Sequence, residues 1–143
     1  MRVLGIDLGT RRIGLAVSDQ DGRIAFPAGT LERKNKRAAF AALCKLVRER
    51  QIGCAVVGLP LHMSGRAGVE AEAARAFARA LAEAAGIPVD TLDERWTSVA
   101  AHRSLQESGR RVVEKHGKGI VDEVAATLLL STYLKRCRRS EGA

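Results

Sequence analysis

Sulfur and aromatic rings are scarce in this chain of 143 residues: three cysteines, two methionines, one tryptophan, one tyrosine and three phenylalanines. Cys44, Cys54 and Cys137 are odd in number and form no Cys-x-x-Cys pair. That argues against a disulfide framework and a thiolate zinc site, and predicts reduced thiols, two of them buried. So few rings also exclude base stacking as the main way of holding a single strand. No apolar run approaches the ~20 residues of a membrane span. Met1-Arg2-Val3 runs straight into a strand pattern, with no charged leader and apolar core ahead of it. The expectation is a cytoplasmic protein with no membrane partner.

What is present is apolar content of 46% and an excess of 24 basic over 16 acidic residues, a formal charge of +8. The length suits one domain, residues 1–136, with a basic, frayed tail over 137–143. The cations gather at Arg33, Lys34, Lys36 and Arg37, at Arg110, Arg111, Lys115 and Lys118, and at Lys135, Arg136, Arg138 and Arg139. A charge run is often only a solvated face, but three clusters beside clustered acids favour a polyanionic partner held by its phosphates and shape. Arg11, Arg12, Arg110, Arg111, Lys115 and Lys118 are the expected nucleic-acid contacts.

Period-two alternation predicts strands over 1–9, Arg12–Asp19 and Ile24–Leu31, joined by short turns into an antiparallel meander. Phe40, Leu43, Cys44 and Val47 fall at helical spacing between Lys36 and Gln51. The apolar run Gly53–Gly58 reads as a strand parallel to the first and covered on both faces. A loop over Leu59–Gly68, an alanine-rich helix to about Ala85 and a strand over Val89–Leu92 follow. A helix from Thr97 or Ser98 to about Glu107, a glycine-rich basic loop over Ser108–Gly119 and a buried helix over Ile120–Tyr133 complete the order. The fold class is α/β, a mixed five-stranded sheet flanked by helices.

Four acids stand where charge is not expected. Asp7 lies mid-strand, on the face of Val3, Gly5 and Gly9, and the glycines leave room for a ligand, a metal or another backbone. A salt bridge to Arg11 or Arg95 is the plain alternative. Asp93 and Glu94 close the last strand and point opposite ways, so one of them faces the site. Asp122 shares a helical face with Ala126, Leu129 and Tyr133, which directs it inward, whereas Glu123 turns about 100° away toward solvent. Three inward carboxylates repel one another unless hard cations, Mg²⁺ or Mn²⁺, lie among them, and two such ions about 4 Å apart suit phosphodiester hydrolysis.

Gly5-Ile-Asp-Leu-Gly-Thr-Arg-Arg-Ile-Gly14, Ala16-Val-Ser-Asp19, Val57-Gly-Leu-Pro-Leu61, Asp93-Glu-Arg95, Val121-Asp122 and Ala125-Ala126 stand in one order from end to end. In these motifs the chain resembles the YqgF (RuvX) family. The resemblance implies a ribonuclease H-like fold and a nuclease that matures the 5′ end of pre-16S ribosomal RNA, or a Holliday junction resolvase. It implies an acidic, metal-binding catalytic site of Asp7, Glu94 and Asp122, supported by Asp93, Arg95 and Thr97. It also implies a partner that is structured RNA or branched DNA, for a monomer or homodimer. The chain departs from the family at His62-Met63-Ser64-Gly65, where Asn-Met-Asp-Gly is usual, at Trp96 in place of Leu, and at Ala100 in place of an acid. His62 is a candidate general base, and Gly58, Gly65 and Gly68 are candidate sites of phosphate approach. Two other classes compete: an actin-like ATPase, suggested by Asp7-Leu-Gly-Thr10 but lacking a second lobe, and a noncatalytic RNA-binding ribosome-assembly factor.

Overall fold

Alternating apolar residues form the first three strands, β1 (Arg2–Leu8), β2 (Arg12–Ser18) and β3 (Ala25–Glu32), in a computed structural model that describes residues 1–9, 11–60, 67–96 and 119–141. They pair antiparallel, with Asp7 opposite Gly14 and Val17 opposite Phe26. Helix α1 (Lys36–Glu49) crosses to β4 (Ile52–Leu59), and α2 (Ala67–Ala85) crosses to β5 (Val89–Asp93). Both of these strands join the sheet in parallel, giving the order β3-β2-β1-β4-β5. A single 3₁₀ turn, Glu94–Trp96, ends β5, and α3 (Gly119–Glu141) is the last element. The helix expected from Thr97 and the loop expected over Ser108–Gly119 fall largely on 97–118, outside the described residues.

The period of two sorts each strand between two helical layers. Leu4, Ile6, Ala55 and Val57 pack with Leu43 and Val47 of α1 and with Ala74, Ala78 and Leu81 of α2. Val3, Ala16, Val56 and Leu92 face Ala125, Ala126, Leu129 and Leu130 of α3. Covered on both faces, β1 and β4 are buried almost without interruption, as central strands of such a sheet must be. The C-terminal ends of β1, β4 and β5 lie together at one end of the sheet, where α/β folds characteristically hold their ligands.

Helix α1 starts at Asn35, whose side chain accepts a hydrogen bond from Ala38 N at 3.1 Å. Asn35→Ala leaves that amide without its cap and is expected to cost about 1 kcal/mol of stability, measured by denaturant unfolding. Between Gly5 and α3 there is no room for a side chain: a Cβ there would lie 2.7 Å from Leu130 Cβ and 3.2 Å from the Ala126 carbonyl oxygen. Of the occupants that the glycines of β1 could admit, helix α3 takes the space at Gly5.

Three expectations are corrected. Helix α3 does not stop near Tyr133 with a frayed tail from Arg136; it runs to Glu141, and Lys135, Arg136, Arg138 and Arg139 complement the negative end of its dipole. Glu123 does not simply face water. Two residues of β3 bulge against one of β2 between the Gly14–Thr30 and Ala16–Pro27 pairs, leaving Gly29, at φ +89°, to donate its N–H to Glu123 Oε1 at 3.1 Å. Finally, the three thiols are free as expected, but all are half-buried, and none is fully enclosed.

Candidate active site

Asp7 is fully buried, at 0% exposure, one residue before the end of β1 and on the face that meets α3. Glycine surrounds it. Gly5 and Gly9 flank it along the chain, Gly14 lies opposite on β2, and Gly58 follows Val57, the partner of Ile6, on β4. The carboxylate thus stands on a floor stripped of side chains, near the C-terminal end of the strand.

Of the two acids that close β5, Glu94 is the inward one. Asp90, Leu92 and Glu94 alternate onto the α3 face: Leu92 lies in the core with Leu129, and Tyr133 donates to Asp90 Oδ2 at 3.3 Å. Glu94 is only 8% exposed. Its Oε1 lies 2.9 Å, and its Cγ 3.3 Å, from where a Cβ on Gly58 would stand, with Leu129 Cδ2 at 3.2 Å from the same point. Neighbouring strands are about 4.8 Å apart, so β1 and β5 are separated by roughly 10 Å with β4 between them. Glu94 spans part of that gap by leaning over Gly58 toward the Asp7 side. This gives Gly58 a role that residue order does not reveal: it makes room for an acid. Gly65 lies outside the described residues, and a Cβ added to Gly68, in the first turn of α2, would meet nothing within 4 Å.

Asp93 turns the other way and holds Arg95. Its Oδ1 accepts from Arg95 N at 2.8 Å, and its carboxylate accepts from Nε at 2.9 Å and Nη2 at 2.8 Å. Hydrogen bonds to this carboxylate, and then its charge, raise the guanidinium above its ordinary value. The forked pair fixes the turn that carries Glu94. Asp122 occupies the first turn of α3, one turn before Ala126, but its side chain lies outside the described residues. So do Thr97, Arg110, Arg111, Lys115, Lys118 and all three histidines, His62, His102 and His116. Among the described residues no group of three His, Cys, Asp or Glu side chains could hold a metal ion; Asp7 and Glu94 are the two members of the expected triad whose side chains are described.

The turn after Asp7 is tied down on its other side. Gly9 N donates to Arg12 O at 2.9 Å and to Asp7 O at 3.2 Å, while Arg33 Nη1 donates to Gly9 O at 2.5 Å and Arg33 N to Arg11 O at 3.0 Å. Arg33, in sequence only one cation of a charge run, braces the Asp7 end of β1. Arg11 is exposed and Arg12 half-exposed beside it. Farther along the α3 face, burial raises the Tyr133 hydroxyl well above its usual range, with a hydrogen bond to Cys137 adding to it. Burial likewise raises Cys54, aided by the charges of Cys137 and Asp90, which leaves Cys54 a protonated, unreactive thiol at neutral pH. Carboxylates are the chemistry concentrated at this end of the sheet.

The family model described as RuvX, Holliday junction resolvase, matches residues 1–136. A protein of Moorella thermoacetica named "Putative pre-16S rRNA nuclease" is 46% identical over 136 residues, covering 95% of this chain and 96% of its own. One of Koribacter versatilis with the same name is 47% identical over 135 residues, covering 94% and 87%. Among solved structures, Thermus thermophilus RuvC in complex with a Holliday junction substrate superimposes with a TM-score of 0.60 at 16% identity over 96% of each chain. The fowlpox virus Holliday junction resolvase does so with a TM-score of 0.54 at 13% identity, covering 95% of this chain and 99% of its own. These two share the fold, a ribonuclease H-like α/β architecture, in agreement with the mixed sheet expected from the sequence. By the match of its sequence over nearly its whole length, the chain belongs to the RuvX family.

Proposed function

We propose that the chain is an endonuclease that hydrolyses phosphodiester bonds of structured nucleic acid, with the 5′ end of pre-16S ribosomal RNA as its substrate. The observation that carries this reading is the placing of two buried carboxylates, Asp7 and Glu94, on one face of the sheet with the bare Gly58 between them. An ordinary core would not hold two carboxylates in such a place, because desolvation of the charged forms opposes it.

The residues present fit hard divalent cations: the donors are carboxylate oxygens, and a side chain at position 58 would fill the cradle that Glu94 occupies. Asp7, Glu94 and Asp122 would hold Mg²⁺ or Mn²⁺, as a pair of ions. When bound, such ions supply a hydroxide at neutral pH and neutralise charge on the departing oxygen. The chain does the rest. Asp93 and Arg95 set the turn on which Glu94 stands, Arg33 and Gly9 hold the end of β1 behind Asp7, and Leu129 of α3 closes the apolar side of the site against water. Arg11 and Arg12, at the turn that follows β1, take backbone phosphates and fix the strand in place without reading its bases.

Incubating the protein with a 5′-extended 16S precursor RNA and, in parallel, with a four-way DNA junction, in Mg²⁺ or Mn²⁺, tests the reading. Cleavage of the RNA is expected. Cleavage of the junction alone would make the protein a resolvase, which requires a two-fold dimer to cut two strands symmetrically. Binding of the RNA without any cleavage would leave a ribosome-assembly factor that keeps the fold.

A further inference from the structure

We infer that the nucleic acid leaves the acidic site across the β3–α1 side of the sheet end, where Arg33, Lys34, Lys36 and Arg37 form a track for the phosphates of the strand flanking the scissile bond. The inference deepens the nuclease reading and rests on it. The cations are tied to the site by the backbone itself: Arg33 bonds both Gly9 O and Arg11 O, and Gly9 stands two residues beyond Asp7. Arg12 is the register partner of Glu32, so the chain from Arg33 onward emerges beside Arg11 at the same end of the sheet. Arg33, Lys34, Lys36 and Arg37 are all exposed.

Among the described residues no carboxylate forms an ion pair with this cluster. Three cations elsewhere do meet carboxylates, Lys45 with Glu49 at 3.8 Å, Arg75 with Glu72 at 2.8 Å and Arg95 with Asp93 at 2.8 Å. Among the described residues, none of Arg11, Arg33, Lys34, Lys36 or Arg37 takes part in an ion pair. Their position also runs against stability, since the first turn of α1 carries Lys36 and Arg37 and no acid, the sign that a helix N-terminus disfavours. Five cations with no described carboxylate partner, leading away from the turn that follows Asp7, suit an anion that comes from outside and is too long for the acids to repel. A nucleic-acid backbone has that chemistry: the reacting phosphate at the acids, its neighbours on the cations.

The other described basic cluster lies elsewhere. Leu134 Cδ2 is 4.0 Å from where a Cβ on Gly22 would stand, in the β2–β3 turn, and Met1 N bonds Gln20 O at 2.8 Å in the same turn. Lys135, Arg138 and Arg139 therefore project from the end of α3 that lies over the N-terminal end of β1, away from Asp7. They provide a control of equal charge.

The test compares K34Q/K36Q/R37Q with K135Q/R138Q/R139Q in the full chain, sparing Arg33 because it braces Gly9. Binding of a 5′-extended 16S precursor RNA is measured in chelator, well below the melting temperature, from about 50 to 200 mM salt. At ~0.7 per phosphate contact on a single strand, the first triple is expected to flatten the slope of log K against log salt by about 2 and to weaken binding roughly tenfold to a hundredfold. Its melting temperature should be unchanged or higher, because cations leave a helix N-terminus; a structural role would lower it. The second triple should keep the wild-type slope. An unchanged slope in the first triple, or an equal loss in both, overturns the track while leaving a cutting wild type a nuclease. Wild-type protein that neither binds nor cuts RNA or junction overturns the nuclease reading and the track with it.

Discussion

Asp7→Asn is expected to lower cleavage about a thousandfold, ~4 kcal/mol of transition-state stabilisation, because the substitution exchanges an anionic oxygen donor for a neutral amide in the middle of the acidic site. The fold should survive. Asp7 is fully buried among glycines and core residues, and an isosteric amide adds no volume there, while the desolvation that opposes a buried carboxylate is relieved. Binding of uncut RNA should therefore be kept, or tightened by removal of a negative charge near the phosphate. Single-turnover cleavage, RNA affinity in chelator and the melting temperature, taken together on the same preparation, check the three parts. Retained cleavage with lost binding would place Asp7 in substrate contact and not in the chemistry. A collapse of the melting temperature would make it a structural residue whose interactions hold the sheet.

Much of this architecture is readable from residue order alone, and what is not has physical reasons. Alternation in β1 puts Asp7 on the face opposite Ile6 and Leu8, and the helical crossovers force β4 and β5 to lie parallel to β1, as they do. The same alternation sends Asp93 and Glu94 opposite ways but does not by itself say which turns inward, since Glu94 lies in the 3₁₀ turn just beyond β5. The partner of Glu123 is hidden from the sequence because it depends on the β2–β3 register: a bulge that exposes Gly29 N–H leaves no mark in the residues of α3. Apolar content thins after Leu134 and suggests an end to α3 near Tyr133, whereas lysine and arginine are good helix formers and suit a helix C-terminus, so the helix continues. Arg33 looks like one cation in a run; only the folded turn brings its guanidinium to Gly9 O. Of the acidic triad, the sheet position of Asp7 follows from strand pattern, the choice of Glu94 over Asp93 rests on the family resemblance, and the inward direction expected of Asp122 rests on helical spacing from Ala126 and Leu129.

The two tightest glycines against the α3 face should separate function from stability. At Gly58 the nearest atom to a new Cβ is Glu94 Oε1, 2.9 Å away, the far end of a flexible side chain that can swing aside at little structural cost. Gly58→Ala should then move the carboxylate and little else, and a displacement on the order of 1 Å can cost about a hundredfold in rate. Its stability should change little, since the loss of unfolded-state freedom, about 0.4–1 kcal/mol in favour of the folded chain, offsets the crowding. At Gly5 the nearest atom is Leu130 Cβ at 2.7 Å, followed by the Ala126 carbonyl oxygen at 3.2 Å. Neither can withdraw unless helix α3 lifts from β1, so Gly5→Ala should cost about 2–3 kcal/mol of stability as overpacking. Denaturant midpoints and cleavage rates of the two variants, with rates scaled to the folded fraction, put the contrast to measurement. Full activity in Gly58→Ala would show that the lean of Glu94 over Gly58 is not needed for cleavage, and would leave Asp7 and Asp122 to carry the site without it.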